Sequence, residues 1–516
     1  MFFVGINDGN VPKKADSRSV LSESDREYLE DKGIVMSASV REKAFTQRFY
    51  LYLIMTKSAE KLYMSYAVKN SEGAALMPSY IIRSMRKMFS HCLKLSYKDT
   101  AQQNSYVTIP RAANSFDNTE IAANVDENII DSLTGGRLVG SVTSFENFAE
   151  CPLRYYLRYG VDLKEREEFT FSPVNFGVVL HAVIREVCDE IKKNGESYYL
   201  ISEEKRREMV KRSVAAITDI YQNSILKDSS RNSFMIKRME DLADRTVWAM
   251  GEQLKCGDFV PFVFEHKFNM EVGDGDRKQL MSGTIDRVDI CENGTDVYVR
   301  IIDYKTGKKD FNIVKTYYGI DIQLMVYMEA AMKLVAKMRP GKNVIPAGVF
   351  YYNISDPIVS ATTESAEEIE DKIKGELRLK GMVNSDKDIA EKMDNTEGTS
   401  LNIPVSRKAD GGFDSRRSKV MNTEQFNMLG RFVDVRAVDT ADRIAGGDIR
   451  RSPYKDGQFS SCDRCPYGAV CGFSVDLPGC NYRKLKKFDD EVLWNNIKEG
   501  VDENGKKMDT GAEERD

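Results

Sequence analysis

The stretch "RIIDYKTGKK", Arg300–Lys309, decides the fold because it places two charged residues at the end of a strand that should be dry. Residues 297–302 alternate with a period of two and are rich in β-branched and aromatic side chains, which predicts a strand. Side chains two positions apart share a strand face, so Asp303 and Lys305 continue the row of β-branched residues. Either the strand ends in water at the turn Thr306-Gly307, or the two charges belong to a functional site.

Composition limits the class of protein. The chain has 516 residues, of which 41% are hydrophobic and 30% are charged, so it is expected to be globular with two or more domains. A net charge of −5 gives no indication of nucleic-acid binding through bulk charge. Short basic runs occur, and each is typical of a solvated helix face.

No apolar run approaches the length of a membrane span, and the initial "MFFVGI" lacks the charged region and cleavage site of a signal peptide. The sequence therefore predicts a cytoplasmic chain with no membrane partner.

Changes in composition along the chain predict four segments. Residues 1–100 alternate strand and helix patterns, as in "MFFVGI", "REKAFTQRFYLYLIMT" and "KLYMSYAV". Residues 101–139 show no sustained period and are expected to be a linker. The main domain covers 140–485, and 486–516 is expected to be a C-terminal helix followed, after about residue 497, by a disordered tail.

Within the main domain, helices open the segment and strands follow at about 261–305. A helix is predicted at 315–338, a strand at 347–354, and a further helix after Ser365, where Glu368 completes a capping box.

Cysteines cluster near the end of the main domain. The segment "CDRCPYGAVC" gives a C-x2-C-x5-C pattern at Cys462, Cys465 and Cys471. Disulfides are rare in the cytoplasm, so closely spaced thiols favour metal ligation or redox chemistry. A tetrahedral site needs a fourth ligand, and Cys151, followed by proline at the start of the main domain, is the candidate. Ligand number alone leaves both zinc and an iron–sulfur cluster open.

Together these motifs resemble the RecB-type nuclease domain with an iron–sulfur cluster, a branch of the PD-(D/E)xK nuclease superfamily. The resemblance rests on the order of "ECP", a "G-x-x-x-H" helix, "GTIDRVD", "DYKTG", a "Q-x-x-x-Y" helix and the terminal cysteines. The matching residues are Cys151, Gly177, His181, Asp286, Asp303, Lys305, Gln323, Tyr327, Cys462, Cys465 and Cys471. The implied fold is a restriction-endonuclease-like α/β core with a mixed central sheet flanked by helices.

The resemblance also implies roles. Asp286, Asp303, Lys305, Gln323 and Tyr327 are the expected catalytic residues. Metal ligation is expected from His181, Asp286 and Asp303, with Mg²⁺ or Mn²⁺ as the ion. A [4Fe–4S] cluster is expected on Cys151, Cys462, Cys465 and Cys471, which would staple the two ends of the domain together.

Two neighbouring carboxylates are not included in the expected site. Glu265, in "FVFEHKF", is interpreted as a carboxylate at a surface edge, and Asp289 as a solvated strand end.

Residues 1–100 resemble the last motifs of a UvrD/RecB-type helicase, with Lys57 at the position of the usual arginine. No G-x-x-x-x-G-K-[ST] loop occurs in the chain, so no ATPase activity is expected from it alone. A degenerate helicase followed by an iron–sulfur nuclease resembles the AddB-type (RexB-type) subunits of heterodimeric helicase–nucleases. That family is longer, so the chain is expected to be a C-terminal portion.

The resemblance implies DNA ends and single strands as substrate and an AddA-type helicase–nuclease subunit as heterodimeric partner. The leading hypothesis is a metal-dependent exonuclease subunit in double-strand-break processing for recombinational repair, acting on the 5′-ended strand. The alternatives are a free-standing Cas4-like exonuclease and a non-catalytic subunit that only channels DNA.

Overall fold

A computed structural model describes residues 1–13, 22–34, 39–69, 75–89, 124–126, 129, 139–164, 173–220, 230–272, 279–360, 365–475 and 480–513. The chain forms two compact units, Met1–Thr119 with Ser474–Cys480 and Glu120–Phe473 with Asn481–Asp516. The predicted linker at 101–139 lies almost entirely outside the described residues.

The first unit is a small α/β arrangement. Its elements are β1 (Phe2–Phe3), α1 (Glu23–Asp31), α2 (Val40–Thr56), β2 (Tyr63–Met64) and α3 (Tyr80–Met88). Strands β1 and β2 pair in parallel. Helix α2 begins with a capping box between Ser39 and Glu42, so the helix predicted from "REKAFTQRFYLYLIMT" is confirmed.

Helices of the second unit cover both faces of a central sheet. They are α4 (Val142–Glu150), α5 (Pro152–Tyr155), α6 (Pro173–Lys193), α7 (Glu203–Ile220), α8 (Ser230–Lys255), α9 (Ile313–Tyr317), α10 (Gln323–Met338), α11 (Ala366–Glu376), α12 (Lys387–Met393), α13 (Thr423–Ala445), α14 (Gly468–Cys471) and α15 (Asp490–Glu513). No helix among the described residues has the length and apolar character needed to cross a membrane.

The central sheet has seven strands of mixed direction. They are β3 (Val139–Ser141), β4 (Val260–Val272), β5 (Gln279–Asn293), β6 (Asp296–Lys305), β7 (Asn343–Asn353), β8 (Lys380–Asn384) and β9 (Val420–Met421). Strand β5 pairs antiparallel with β4 and β6, and parallel with β3. Strand β7 pairs parallel with β6 and antiparallel with β8, and β9 joins β8 in parallel. This mixed α/β architecture confirms the predicted fold class.

A second, three-stranded sheet lies near the cysteines. Its strands are β10 (Tyr454–Asp456), β11 (Phe459–Ser460) and β12 (Arg483–Lys484), and β10 is the central strand.

Strand β6 is buried on both faces, which explains its near-continuous apolar sequence. Val299 and Ile301 belong to the core formed with α10, α13 and α15, whereas Ile302 and Tyr304 belong to the core formed with α6, α7 and α8. Burying one such aliphatic side chain contributes about 1.5–3 kcal/mol. The sheet is therefore a rigid platform for side chains that emerge at the strand ends.

Two predictions of secondary structure differ from the observed elements. The helix expected at 315–338 is broken into α9 and α10, because Gly319 adopts a left-handed φ of 76° and turns the chain. The break leaves Gln323 as the first residue of α10. At the other end of the chain, α15 continues to Glu513 through most of the stretch for which the sequence predicts disorder.

Candidate active site

The two motif aspartates meet because β5 and β6 form one antiparallel hairpin. Arg287 pairs with Ile302 in this hairpin, so Asp286 and Asp303 occupy the next position in the register. Both carboxylates are buried, with exposed fractions of 7% and 2%. The backbone N–H of Tyr304 donates to Oδ2 of Asp286 at 2.6 Å, which fixes the orientation of that carboxylate. Two acidic groups in one dry corner require a cation.

His181 reaches the same corner from α6. Its Nδ1 lies 3.5 Å from Oδ1 of Asp286 and 3.6 Å from Oε1 of Glu265. Burial alone would lower the pKa of His181, but hydrogen bonds and charge from Asp286 and Glu265 raise it to about 10. Among the described residues, these three are the one group whose ligand atoms all lie within 4.8 Å of one another. The arrangement can hold a metal ion once the imidazole releases its proton.

Glu265 therefore belongs to the site, and its interpretation as a surface-edge carboxylate is wrong. Its backbone has a left-handed φ of 47° in the middle of β4, one of two such non-glycine residues in the described part of the chain. A conformation of this kind costs about 1–3 kcal/mol and persists where surrounding structure enforces it, often at functional sites. A carboxylate inside the apolar run "FVFEHKF" was the available sequence signal.

Lys305 is held in place by a short chain of polar contacts. Its ammonium forms an ion pair with Asp303 and donates to Oε1 of Gln323 at 3.0 Å. Nε2 of Gln323 in turn donates to the hydroxyl of Tyr327 at 2.9 Å. The Tyr327 ring packs over Gly283, where a Cβ would lie 3.0 Å from the ring and 2.7 Å from Phe268. The structure thus brings all six motif residues expected here into one connected site.

Asp303 carries the clearest sign of an incomplete site. Burial, followed by the charge of Asp286, raises the pKa of Asp303 to about 6. Its Oδ2 is buried, and although the Lys305 ammonium lies beside it, this oxygen accepts no hydrogen bond of good geometry from the described residues. Buried carboxylate oxygens without donors are costly, and a bound cation would satisfy this one.

Asp289 has a structural role instead of the predicted solvated position. Its exposed fraction is 0%, and its carboxylate accepts from Nε of Arg287 at 2.7 Å and Nε of Arg300 at 2.9 Å. The two guanidinium groups lower the pKa of Asp289 despite its burial. Removing the carboxylate would leave two buried cations unpaired, at a cost of about 3–5 kcal/mol. This triad fixes β5 against β6 immediately beside the site.

A second layer of charged residues, not expected from the sequence, supports the turn before α10. Oε1 of Glu146 accepts from the backbone N–H groups of Ile322 and Gln323 at 2.9 and 3.0 Å, and so caps α10. Asp321 accepts from the Tyr351 hydroxyl at 2.7 Å and pairs with Lys309 at 3.0 Å. These contacts position Gln323 and hence Lys305.

The four motif cysteines line one small cavity, and we call them the cysteine clasp: Cys151, Cys462, Cys465 and Cys471. Cys151 precedes Pro152 at the start of α5, and the other three lie on the loop that contains α14. Burial, followed by a hydrogen bond and the other clasp thiols, shifts the pKa of Cys462 upward to about 11. Arg483 reinforces the closure because its guanidinium donates to the carbonyl of Ala149.

A mixed sheet that ends two neighbouring strands in Asp and Asp-x-Lys, with a helix histidine and a strand glutamate beside them, is typical of metal-dependent phosphodiester hydrolases. A family model described as the PD-(D/E)XK nuclease superfamily matches residues 140–472. The chain belongs to that superfamily, which confirms the resemblance inferred from its motifs.

Curated relatives extend the likeness to almost the whole chain. The B subunit of the ATP-dependent helicase/deoxyribonuclease of Clostridium acetobutylicum is 31% identical, over 98% of this chain and 48% of the relative. The proteins of the same name from Lachnoclostridium phytofermentans and Thermoanaerobacter sp. strain X514 are 31% and 29% identical, over 100% and 99% of this chain. The chain spans about half the length of these relatives. The predicted resemblance to B-type subunits of helicase–nucleases is confirmed.

Proposed function

We propose that this chain carries the deoxyribonuclease centre of a helicase–nuclease subunit and hydrolyses DNA phosphodiesters with Mg²⁺ or Mn²⁺. The observation that carries the proposal is the convergence of Asp286, Asp303 and Lys305, with Oδ2 of Asp303 buried and lacking a hydrogen bond. We name these three residues, together with His181 and Glu265, the catalytic corner.

Four residues of the catalytic corner would hold the metal ion: His181, Glu265, Asp286 and Asp303. Carboxylate oxygens suit the hard cations Mg²⁺ and Mn²⁺, and one imidazole is compatible with either. A bound ion of this kind neutralises charge on the phosphoryl oxygens and supplies hydroxide near neutral pH.

Lys305 is the residue that we assign to the attacking water. Its ammonium is fixed by Gln323 and, through it, Tyr327, so it presents a directed positive charge where the phosphate gains negative charge. Because the corner is already dry and its donors are fixed, little reorganisation accompanies the reaction. Gln323 and Tyr327 act through Lys305 as positioning residues.

For the cysteine clasp we propose a [4Fe–4S] cluster with a structural role. A single zinc ion with Zn–S distances of about 2.3 Å would bring the sulfurs to about 3.8 Å from one another. No three of the described thiols meet within 4.8 Å, which favours a larger metal group. The cavity between them measures about 20 Å³, room for one or two waters, so the cysteine side chains must rotate outward to admit the cluster.

The names of the relatives support the remaining parts of the proposal. We propose that the chain acts in the cytoplasm on DNA ends and single strands beside an AddA-type partner. Cleavage of the 5′-ended strand during double-strand-break repair is part of the same proposal.

The test is degradation of single-stranded DNA by the purified chain, with and without Mg²⁺ and with and without the helicase partner. Asp303→Ala should abolish cleavage while leaving DNA binding intact. The matched control is Asp310→Ala, which removes an exposed carboxylate of the same loop and should cut at the wild-type rate. Wild-type cleavage by Asp303→Ala would defeat the proposal.

A further inference from the structure

A cavity of about 240 Å³ lies near the catalytic corner, between α4, the turn before α10, α13 and the segment that leads to β12. Four arginines line it: Arg436, Arg443, Arg450 and Arg483. The arginines come from three separate parts of the chain, so their convergence is a product of the fold. No motif identified from the sequence includes any of them.

The cavity carries an excess of positive charge. Arg443 and Arg450 share one carboxylate, Asp448, at 2.8 and 2.7 Å. Asp439 is the second carboxylate near the cavity, 3.8 Å from Arg443. Four guanidinium groups therefore face two carboxylates. Burial lowers the pKa of Arg483, and the neighbouring Arg443 and Arg450 lower it further.

Two of the arginines have no carboxylate partner in the described part of the chain. Arg483 donates only to backbone carbonyls, including that of Ser452 at 3.0 Å. Arg436 packs its guanidinium over the rings of Phe432 and Tyr317, at 5.1 and 5.4 Å from their centroids, and its buried Nε has no hydrogen-bond partner. A guanidinium held flat between rings, with an unused donor, is preorganised for a planar anion contact.

The cavity lies within reach of the catalytic corner. Ala149 lines it and lies one turn along α4 from Glu146, which caps α10 at Gln323. Gly319 also lines it, and four residues of extended chain span at most about 14 Å, which bounds the distance from Gly319 to Gln323. An extended strand of DNA whose scissile phosphate lies at Lys305 can therefore place a neighbouring phosphate in the cavity.

We propose that this arginine-lined cavity binds a phosphodiester of the DNA strand a few nucleotides from the scissile bond, and thereby holds the strand in register. The inference rests on the proposed nuclease function and adds a subsite to it. Small-molecule sites usually measure about 300–1,000 Å³, so the cavity suits one backbone segment of a polymer better than a free nucleotide. Phe148, Pro152 and Tyr318 supply an apolar wall against which a deoxyribose can pack.

The experiment compares the full chain with the double variant Arg436→Gln/Arg450→Gln. Binding of a long single-stranded oligonucleotide is measured by fluorescence anisotropy across a range of salt, with Ca²⁺ in place of Mg²⁺ so that the strand is not cut. Each phosphate that the variant no longer neutralises should reduce the slope of log K against log salt by about 0.7, and the two changes should weaken binding about tenfold at low salt.

Arg431→Gln is the matched control because it removes an exposed arginine from the same helix, at a different cavity, and should bind like the wild type. Arg436→Lys keeps the charge and should lose much less affinity than Arg436→Gln. Circular dichroism and thermal unfolding report whether each variant is folded, and Arg450→Gln alone, at an exposed position, serves if the double variant is not.

Unchanged affinity and salt slope in a folded variant would overturn the proposal. Calorimetric titration with inorganic phosphate separates the two anion sources: if the variants lose phosphate binding but keep DNA binding, the cavity takes a free anion and the inference is wrong. Binding is read without cleavage, so a wild type that binds DNA through these arginines but never cuts it would refute the nuclease function alone.

Discussion

The catalytic corner and the cysteine clasp lie in the same unit and differ in what holds them together. The corner is built on β4, β5 and β6, with an aliphatic core on each face and the Asp289 triad beside it. The clasp joins Cys151 to a loop more than 300 residues later that contains one helix of four residues. Packing can organise the first without a metal ion, whereas the second depends on metal for much of its closure.

The largest expected effect is at Lys305. Lys305→Ala removes the directed charge in the corner and should lower kcat on the order of 10³-fold, because comparable preorganised donors contribute that much. Folding should be unaffected, since the core positions of β6 are unchanged. Steady-state cleavage of single-stranded DNA measures the effect. Lys308→Ala, at an exposed neighbouring position, is the control, and an equal loss there would show that loop charge in general is responsible.

The clasp should fail in a different way from the corner. Anaerobically purified wild type should be brown and contain iron and acid-labile sulfide, and Cys151→Ala should lose both. The two ends of the nuclease domain should then loosen and DNA-end binding should fall, although no clasp cysteine contacts the corner. Cys188→Ala changes a packed thiol on α6 and should keep its iron. Zinc without iron in the wild type would refute the cluster and leave the closure intact, and unchanged metal content in Cys151→Ala would refute the closure.

Glu265 tests whether the corner is as rigid as its packing implies. Glu265→Gln keeps the shape of the side chain and removes a ligand charge, so Mg²⁺ affinity should fall about 10–100-fold while kcat at saturating Mg²⁺ changes less. The readout is cleavage rate against Mg²⁺ concentration. Glu292→Gln, at an exposed position on β5, should leave the titration unchanged. A flat response in Glu265→Gln would place that carboxylate outside the metal site.

Sequence patterns predict the corner further than they predict its surroundings. Alternation in 297–305 indicated the strand and the shared face of Asp303 and Lys305, and the hairpin then brought Asp286 alongside. Glu265 and Asp289 were misjudged because period alone does not report burial: one carboxylate depends on a backbone kink in β4, the other on two arginines reaching it within the sheet.

The helix break at Gly319 was missed for a related reason. A lone glycine in a helical pattern is tolerated in many helices, and only the three-dimensional structure shows that this one turns the chain toward Glu146. Convergence of the arginines from α13, residue 450 and β12 had no local signal at all. Such long-range arrangements follow from the sheet, and the sequence motifs contain no trace of them.

A buried carboxyl pair that belongs to neither region sharpens the comparison, and the expected effect there is the smallest. Burial, followed by a hydrogen bond to Glu329, raises the pKa of Asp434 to about 8. A carboxyl whose pKa is higher in the folded protein than in the unfolded chain stabilises the fold below pH 4, and this contribution is lost as pH rises toward 8. Asp434→Asn removes the titration, so its free energy of unfolding should gain on the wild type between pH 5 and 8, by about 1 kcal/mol after allowance for partial exposure. Urea denaturation at several pH values measures this difference, with Glu391→Gln, at an exposed position on α12, as the control. A difference between Asp434→Asn and wild type that stays constant with pH would show that the carboxyl is not held in its protonated form by burial.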